Sequence, residues 1–540
     1  MLFHEAAARS FADQGIDTIF GLIGDGNLYM MDSFQRAAGG TYYSFANEAS
    51  GVLAASGYAS TSGKLGVATV THGPAFTNTV TPLIEGVKSH TPILLIAGDT
   101  AVLDRENLQN ISQRDITIAA GAGFEQVRAP GTIAEDVATA VRRAWAERRP
   151  IVLNVPVEFQ WQEVDYTPAP VRHIAPQAVA PDPAVLEEAV GLIAGSNRPI
   201  VLAGQGAATA EARAALVRLA HRIGAPLATT LRGRELFLGE PHNLGIFGTL
   251  SHEVALDAIS QADLILAFGA SLNYLTADRG GTLAGKKIVQ VDTERAALNQ
   301  FSPIHLGIVG DSVAAAAGLV ELLDEAEVKP TGFASPQLAE RLASYHGAEY
   351  ADTSTEHTVD IRTAVRMIDQ ALPGDRTFVT DVGRFMVTAL ANVHVREPRA
   401  YVHTASFGAI GLGMANAIGA YFGAPGRPVL LVTGDGGFML GGLTEFSAAV
   451  RHGADVVVCV LNDGAYGAEH IQFRRKDMDP AISTFPWPDL GPVATDLGGR
   501  GFTVHNVEEL AAALHAIETR DRPVLIDIKI DPDKVPAPGH

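Results

Sequence analysis

Two aspartates and a run of glycines near the C-terminal end of the chain could bind a divalent metal ion together with a phosphate group. The stretch VTGDGGFMLGG, positions 432–442, places Asp435 among glycines directly after an apolar run. Glycines let backbone N–H groups approach an anion, and aspartate supplies the hard oxygen ligands that Mg²⁺ prefers. Asp463 follows the next apolar run, VVVCVL. We therefore expect both carboxylates at one edge of a parallel sheet, where they would form a metal site for a diphosphate, rather than a plain strand-to-helix turn.

A second Gly-Asp-Gly triplet, positions 24–26 in GLIGDGNLYMMD, has no such companion. No acidic or amide pair follows at the end of the next strand-like run. We therefore predict no metal site there and a different role for Asp25, which could also be an ordinary helix N-cap or turn residue.

The elements that must position these residues alternate along the chain: apolar strand-like runs are separated by longer Ala-rich helical patterns. This alternation predicts an α/β fold with doubly wound parallel sheets, whose ligands bind at the carboxyl ends of the strands. A Pro-rich stretch, 161–183, and a polar stretch, 325–358, are interpreted as linkers. They divide the chain into domains of about 1–160, 184–324 and 359–540.

Each of the three domains contains four apolar runs that are predicted to form strands. They are TIFGLI, GVATVT, ILLIAG and PIVLNVP, then RPIVLAGQGA, PLATT, LILAFGA and KIVQVD, and finally TFVTD, PVLLVTGDGG, VVVCVLND and PVLIDIKI.

Composition excludes several classes of function. The formal net charge of −20 disfavours nucleic acid as a partner, because its phosphates demand a basic surface. No apolar run reaches the roughly 18 to 20 residues that span a bilayer. The single cysteine, Cys459, cannot form a disulfide framework and is interpreted as a buried structural thiol. A cytoplasmic enzyme is therefore expected.

The Gly434-Asp435-Gly436 triplet, followed by Asn462-Asp463 in the next strand, resembles the cofactor motif of the thiamine-diphosphate-dependent enzymes. This family includes pyruvate decarboxylases, acetolactate synthases, benzoylformate decarboxylases and benzaldehyde lyases. The resemblance covers the whole chain, including the order of the three domains. It implies an N-terminal domain that binds the pyrimidine of the cofactor, a Rossmann-like middle domain and a C-terminal domain that binds the diphosphate.

The resemblance implies a Mg²⁺ site made by Asp435, Asp463 and the backbone carbonyl of Ala465. Asp463 departs from the family, which usually has asparagine there, and it adds negative charge near the diphosphate. Arg384, at a position where the family often holds the diphosphate, could offset that charge. The other implied cofactor contacts are Gly383, Gly434, Gly436, Gly437 and Tyr466.

The stretch YYSFANEASGVLAASGYA resembles the family segment that carries the activating glutamate, so Glu48 is implied to protonate the pyrimidine ring. In ASFGAIGLGMANAIGA, Ile410 matches the bulky residue that bends the cofactor, and the Gly408 carbonyl would accept a hydrogen bond from its amino group. From the residues alone, Ile410 could equally be an ordinary core side chain. Because the family builds this site from two subunits, the resemblance implies a homodimer or a dimer of dimers, that is, a homotetramer.

Four further residues match substrate-side positions of different subfamilies. Asp25 and Glu469 match the decarboxylases, and His72, in VTHGPAFTN, matches a catalytic histidine of benzoylformate decarboxylase. His72 could also be purely structural. Gln109, in ENLQNISQRD, matches a glutamine of the acetolactate synthases.

The resulting hypothesis is an enzyme that uses thiamine diphosphate and Mg²⁺ on a 2-oxo acid, by non-oxidative decarboxylation, by acyloin carboligation with an aldehyde or second 2-oxo acid, or by both. A benzoylformate-decarboxylase-like or benzaldehyde-lyase-like carbon–carbon lyase is the alternative. A nucleotide-binding regulatory or redox module is the alternative of another class. FAD is a further candidate for AGQGA, positions 203–207, but a lone Gly-x-Gly does not support it.

Overall fold

The computed structural model describes residues 1–104, 106–171 and 177–536. They form two compact units. The first contains the described residues within Met1–His173, Asp352–His394 and Val402–Pro536. The second contains those within Ile174–Ala351 and Val395–Tyr401.

The N-terminal sheet belongs to the first unit and is parallel throughout. Its strands are β1 (Thr18–Gly21), β2 (Thr41–Ser44), β3 (Gly66–Val70), β4 (Ile93–Asp99), β5 (Gly123–Gln126) and β6 (Ile151–Pro156). Its helices are α1 (Phe3–Asp13), α2 (Leu28–Arg36), α3 (Glu48–Ser62), α4 (Pro74–Thr77), α5 (Val80–Ser89), α6 (Gln113–Ala119) and α7 (Ile133–Glu147). The strand order is β2-β1-β3-β4-β6-β5.

The middle sheet forms the second unit. Its strands are β7 (Pro199–Ala203), β8 (Leu227–Thr229), β9 (Asn243–Ile246), β10 (Leu264–Phe268), β11 (Lys287–Asp292) and β12 (Leu306–Val309). Its helices are α8 (Pro183–Ala194), α9 (Ala210–Ile223), α10 (Glu253–Gln261), α11 (Ser312–Glu325) and α12 (Pro336–Ala343). The order β12-β11-β10-β7-β8-β9 is that of a Rossmann fold, with its switch point between β7 and β10.

The C-terminal sheet completes the first unit. Its strands are β13 (Thr377–Thr380), β14 (Tyr401–His403), β15 (Val429–Gly434), β16 (Val456–Asn462), β17 (Arg500–Val504) and β18 (Val524–Lys529). Its helices are α13 (Ile361–Ala371), α14 (Met386–Asn392), α15 (Gly413–Gly423), α16 (Asp435–Gly437), α17 (Leu443–His452), α18 (Gly467–Arg475), α19 (Leu490–Asp496) and α20 (Val507–Ala516). The order β14-β13-β15-β16-β18-β17 repeats the topology of the N-terminal sheet, strand for strand.

The N-terminal and C-terminal sheets pack together through α3 and α15. A Cβ atom on Gly57 of α3 would lie 2.1 Å from the carbonyl oxygen of Asn416, and one on Gly419 of α15 would lie 1.9 Å from that of Ala54. Only glycine permits so close an approach of two helix backbones. One hydrophobic cluster accordingly contains residues from both sheets.

The fold class predicted from the sequence is confirmed: within the described residues there are three parallel six-stranded sheets with flanking helices. The predicted strands are the four inner strands of each sheet, and the two edge strands of each were missed. The linker interpretation of 325–358 is wrong in part, because α12 lies there and buries Leu338. In the other linker, 161–183, residues 172–176 lie outside the described part of the chain. The domain boundaries remain a prediction.

Cys459 is a free thiol buried in β16, and burial raises its pKa to about 12. Across the described residues, no helix is both long and apolar enough to cross a membrane.

Candidate functional site

Asp435 and Asp463 emerge from neighbouring strands at the same edge of the C-terminal sheet. β15 and β16 are paired in parallel, with Gly434 opposite Leu461, so the residues that follow the two strands lie side by side. Asp435 is the first residue of the short helix α16 and is only 2% exposed. Its Oδ2 atom accepts no hydrogen bond from the part of the chain that the structure describes. Asp463 accepts one from the backbone N–H of Ala465, at 3.1 Å.

These two carboxyl groups are poorly accommodated without a cation. Burial raises the pKa of Asp435, and the negative charge of Asp463 raises it further. Burial also raises the pKa of Asp463. Two acceptor-only groups of the same charge in a partly desolvated place are destabilising unless a positive charge lies between them. A bound divalent cation would supply that charge.

Aromatic rings pack closely on glycines in the segments that carry the pair. A Cβ atom on Gly436 would lie 2.6 Å from the Tyr466 ring, and one on Gly434 or Gly383 would contact the Phe385 ring, at 3.1 and 2.3 Å. The described residues contain no group of three or more His, Cys, Asp or Glu side chains that could hold a metal. A cation at Asp435 would therefore complete its ligands with backbone carbonyls and phosphate oxygens, as Mg²⁺ commonly does. The residues present fit a metal diphosphate.

The helix after Asp435 is irregular. Residues Phe438–Gly442 form a π-helical turn between α16 and α17. Such turns widen the helix locally and are frequent at functional sites. Gly441 lies against the backbone of Gly411, where a Cβ atom would be 2.2 Å from the carbonyl oxygen. The turn thus packs directly on the loop that precedes α15.

Asp381 organises that loop, and the sequence analysis missed it. Its carboxylate, 2% exposed, follows β13 and accepts hydrogen bonds from the backbone N–H groups of Val382, Gly411 and Gly413. The Thr433 hydroxyl donates to the same carboxylate at 3.3 Å. Burial raises the pKa of Asp381. A TDVG sequence gives no local sign that its aspartate will hold a loop that lies thirty residues later in the chain.

The loop held by Asp381 carries Gly408 and Ile410. Gly408 and Gly411 have φ angles of +80° and +82°, which disfavour any residue with a side chain. Gly408 is exposed and Ile410 is half-buried, so Ile410 is not an ordinary core residue.

Glu48 is the first residue of α3, directly after the N-cap Asn47. Its carboxylate accepts a hydrogen bond from the side-chain amide of Asn78, at 2.9 Å. It is half-buried, and no hydrogen bond among the described residues joins it to Gly408 or Ile410. Within the described part of the chain, the predicted activating residue and the predicted wedge are therefore not linked by a hydrogen bond.

Two buried glutamates connect these two loops to the opposite sheet. Glu85, on α5 of the N-terminal sheet, accepts hydrogen bonds from the backbone N–H groups of Ser406 and Phe407, at 3.0 and 2.6 Å. Glu445, on α17 of the C-terminal sheet, accepts one from the backbone N–H of Ala46, at 3.2 Å. Each sheet thus holds the other's predicted cofactor loop through a buried carboxylate. Both contacts are long-range, and no spacing rule predicts them.

The first Gly-Asp-Gly triplet leads into α2, but Asp25 is not its N-cap. That position belongs to Asn27, whose buried side chain accepts from the Gly24 N–H and donates to Leu22 and Thr69. The N-cap alternative for Asp25 is therefore wrong, whereas Asp25 does lie in a turn, as the other alternative had it.

Asp25 instead lies beside the residues that follow β3. Its side chain is 73% exposed, and its Oδ1 accepts a hydrogen bond from the Thr71 hydroxyl at 3.0 Å. The same oxygen lies 3.9 Å from Nε2 of His72, which is buried. The structure thus brings together two of the predicted substrate-side residues, with Thr71 between them.

Three further predicted residues lie on segments that adjoin these clusters, and the charge of one of them, Arg384, partly offsets the effect of burial, which raises the pKa of Asp463. Glu469 is exposed in the first turn of α18. The backbone of Gln109 lies against Gly73, the residue after His72. Arg384 donates its guanidinium hydrogens to the carbonyls of Pro532 and Val535, so within this chain it holds the C-terminal segment.

Three family descriptions match the chain in order. They are the N-terminal TPP binding domain of thiamine pyrophosphate enzymes over residues 1–120, the central domain over 186–319 and the C-terminal TPP binding domain over 381–528.

Individual relatives are similar along nearly their whole length. A sulfoacetaldehyde acetyltransferase of Rhodobacter capsulatus is 28% identical, over 95% of this chain and 91% of the relative. The acetolactate synthase large subunit of Corynebacterium glutamicum is 26% identical, over 98% and 87%. A probable 2-ketoarginine decarboxylase of Pseudomonas aeruginosa is 28% identical, over 97% and 93%. These relatives catalyse different reactions by their names, so similarity alone does not select one.

Proposed function

Because the chain belongs to the thiamine pyrophosphate enzymes, we propose that it binds thiamine diphosphate with Mg²⁺ and cleaves the bond between C1 and C2 of a 2-oxo acid. The aldehyde-forming reaction, in which CO₂ leaves and a proton replaces it, is the one that the site supports best. The observation that carries this choice is the exposed Asp25 carboxylate beside the buried His72, a pair suited to proton exchange.

Asp435 and Asp463 would hold the metal, with the carbonyl of Ala465 as the third protein ligand. Backbone N–H groups of Gly383, Gly434, Gly436 and Gly437 would contact the diphosphate, and Tyr466, whose ring packs on Gly436, would lie beside it. When bound, the cofactor supplies an electron sink next to the carbonyl carbon of the substrate. Arg384 would reach a diphosphate only if it released the carbonyls of Pro532 and Val535.

Glu48 would hold a proton at the pyrimidine end of the cofactor, and Asn78 would orient its carboxylate. Glu85 accepts from the N–H groups of Ser406 and Phe407, and Asp381 accepts from that of Gly411. The segment between them, with the Gly408 carbonyl and the Ile410 side chain, is thus fixed at both ends for the same cofactor. Because no hydrogen bond among the described residues joins Glu48 to that loop, and because the family resemblance implies a site shared between subunits, a second copy is proposed to complete each site. The assembly would be a homodimer or a dimer of dimers.

Carboligation is the second candidate. It is supported by two relatives whose names denote an acetyltransferase and an acetolactate synthase, and by Gln109 near the residue after His72. In that reaction a second carbonyl compound takes the place of the proton. Glu469, exposed on α18, would then serve either reaction from the substrate side.

The test is a screen of 2-oxo acids with the purified protein, thiamine diphosphate and Mg²⁺, which measures CO₂, aldehyde and acyloin products together. The proposal expects CO₂ and aldehyde from at least one 2-oxo acid, and no CO₂ when Mg²⁺ is removed by a chelator. Acyloin without aldehyde would favour the second candidate. An absence of CO₂ release from every 2-oxo acid in a protein shown by calorimetry to bind the cofactor would overturn both.

A further inference from the structure

The Thr71 hydroxyl lies at the centre of the Asp25–His72 pair. It accepts a hydrogen bond from the backbone N–H of Gly26 at 3.0 Å and lies 3.0 Å from Oδ1 of Asp25. Its third neighbour is Nδ1 of His72, at 3.3 Å. All three neighbours are polar, and Thr71 is only half-buried.

The chemistry of a hydroxyl limits how these contacts can be shared. A threonine hydroxyl has one proton to donate and two lone pairs to accept with. An ionised carboxylate accepts only, so the hydroxyl proton must point to Asp25. The Gly26 N–H takes one lone pair. The other lone pair faces Nδ1 of His72, and that contact is favourable only when Nδ1 carries a hydrogen.

We propose that Thr71 is a positioning residue that holds His72 with its proton on Nδ1 and its lone pair on Nε2, next to Asp25. Nε2 lies 3.9 Å from the exposed Asp25 carboxylate, and in this tautomer it is the ring nitrogen that is free to take up a proton. The tautomer of His72 can be tested independently, whereas its consequence for catalysis rests on the proposed function.

Neighbouring groups hold the loop of residues 24–26 against Thr71. The side-chain amide of Gln160 is buried and donates to the carbonyls of Asp25 and Gly26, at 3.1 and 3.3 Å. On the other side, a Cβ atom on Gly24 would lie 2.7 Å from the Thr71 side chain, so the triplet packs directly on it. The loop cannot move away from Thr71 without breaking these contacts.

The proton balance of the proposed reaction gives the pair its task. Loss of CO₂ from a 2-oxo acid anion consumes one proton for every aldehyde formed. The lone pair on Nε2 of His72 would first take a proton from water that reaches the pair at Asp25, whose side chain is 73% exposed. The resulting imidazolium would then give that proton to the carbon that CO₂ leaves, which returns His72 to its starting form. A wrong tautomer of His72 would place a hydrogen where the lone pair is needed, and general acid–base assistance would be lost.

The tautomer is measured directly by ¹⁵N NMR of histidine-labelled protein, without cofactor or substrate, at a pH where His72 is neutral. His72→Asn identifies the resonance. Wild type and Thr71→Ser, which keeps the hydroxyl, are expected to show the Nδ1–H form. Thr71→Val, which has nearly the same shape and no hydroxyl, is expected to shift His72 to the Nε2–H form. The Nε2–H form in wild type, or the same tautomer in wild type and Thr71→Val, would overturn the proposal.

Activity supplies the second readout. On one accepted 2-oxo acid, Thr71→Val is expected to lower aldehyde formation by at least about 100-fold, the lower end of acid–base contributions, and to raise the share of acyloin. Cofactor affinity should be unchanged, and Thr71→Ser should restore most of the rate. Equal rates for Thr71→Val and Thr71→Ser would contradict the positioning role. If wild type accepts no 2-oxo acid, the proposed function fails, whereas the tautomer measurement still decides the role of Thr71.

Discussion

The two Gly-Asp-Gly triplets have the same letters but occupy different places in two sheets of identical topology. The first, residues 24–26, follows β1, the second strand of its sheet, whereas the second, residues 434–436, follows β15, the third strand. The topological counterpart of Asp435 in the N-terminal sheet is therefore the region after β3, which contains Thr71 and His72. The neighbouring strand decides what an aspartate can do: β16 brings Asp463 to Asp435, and β3 brings a hydroxyl and an imidazole to Asp25.

Burial separates the two aspartates as sharply as their neighbours do. The Asp25 side chain is 73% exposed, whereas Asp435 is 2% exposed and beside another carboxylate. A buried pair of carboxyl groups is stabilised by a bound cation or by a shared proton, while an exposed carboxylate can exchange protons with water and needs no cation. The same triplet is thus compatible with two chemistries, and its surroundings select between them.

The largest difference is expected when each aspartate is replaced by alanine. Asp435→Ala should abolish retention of thiamine diphosphate and Mg²⁺, a loss well beyond the roughly 100-fold that outer-shell changes cost at metal sites. Asp25→Ala is the matched control and should leave cofactor affinity unchanged. Calorimetric titration of both variants measures this. Equal losses of affinity would remove the distinction between the triplets.

A second difference concerns turnover. Asp25→Asn keeps the size of the side chain and removes its ionisation, so aldehyde release should fall by about 100-fold or more. The share of acyloin should rise, because capture by a second carbonyl does not need that proton. Aldehyde and acyloin yields on one accepted 2-oxo acid measure both effects. An unchanged product ratio with unchanged turnover would mean that Asp25 has no part in proton transfer.

Replacement of Asp435 is expected to raise the stability of the metal-free protein, although it lowers the affinity for the cofactor. At pH 8, Asp435→Asn removes one of two buried like charges and should stabilise the metal-free protein by about 1 to 2 kcal/mol, since one pKa unit corresponds to about 1.4 kcal/mol. Asp25→Asn should have no such effect. Urea unfolding without Mg²⁺ compares them. A metal-free Asp435→Asn variant less stable than wild type would contradict the electrostatic interpretation of the pair.

The smallest change is expected at Asp463. Asp463→Asn keeps an oxygen ligand of the same length and removes charge near the diphosphate, so activity should be retained. The loss of a charged ligand and the relief of repulsion oppose each other, and cofactor affinity should change by less than about tenfold, or roughly 1.4 kcal/mol. Activity measured against Mg²⁺ concentration tests this. Complete loss of activity would show that both carboxylates are required.

The success of the strand predictions depends on where a strand lies in its sheet. Inner strands such as β3, β7 and β16 are buried along their whole length and are recognisable as continuous apolar runs. Edge strands such as β2 and β17 are mostly half-exposed, and their sequences, TYYS and RGFTV, mix polar and apolar residues. Natural sheets keep their edges short and polar, which removes the signal. The missed strands β12 and β14 differ, because LGIV is apolar and β14 is mostly buried, but they are only four and three residues long.

The residues of the candidate site also differ in how far the sequence could predict them. Asp435 and Asp463 could be paired from the sequence because one crossover connection separates adjacent parallel strands. Asp381, Glu85 and Glu445 could not, because their partners are backbone N–H groups on distant segments, and a backbone N–H has no residue type to recognise. Thr71 is adjacent in sequence to His72, but its role depends on the Gly26 backbone 45 positions away. Sequence patterns locate functional groups more readily than the groups that hold them.

The exchange of carboxylates between the two sheets has a consequence for biosynthesis. Glu85 is made early, yet the N–H groups that it accepts from belong to Ser406 and Phe407. A buried carboxylate without donors costs several kcal/mol, so Glu85 must stay hydrated while the ribosome synthesises the intervening residues. Domains usually mature from the N-terminus during translation. Here the first sheet can complete its native hydrogen bonding only after the last sheet has emerged.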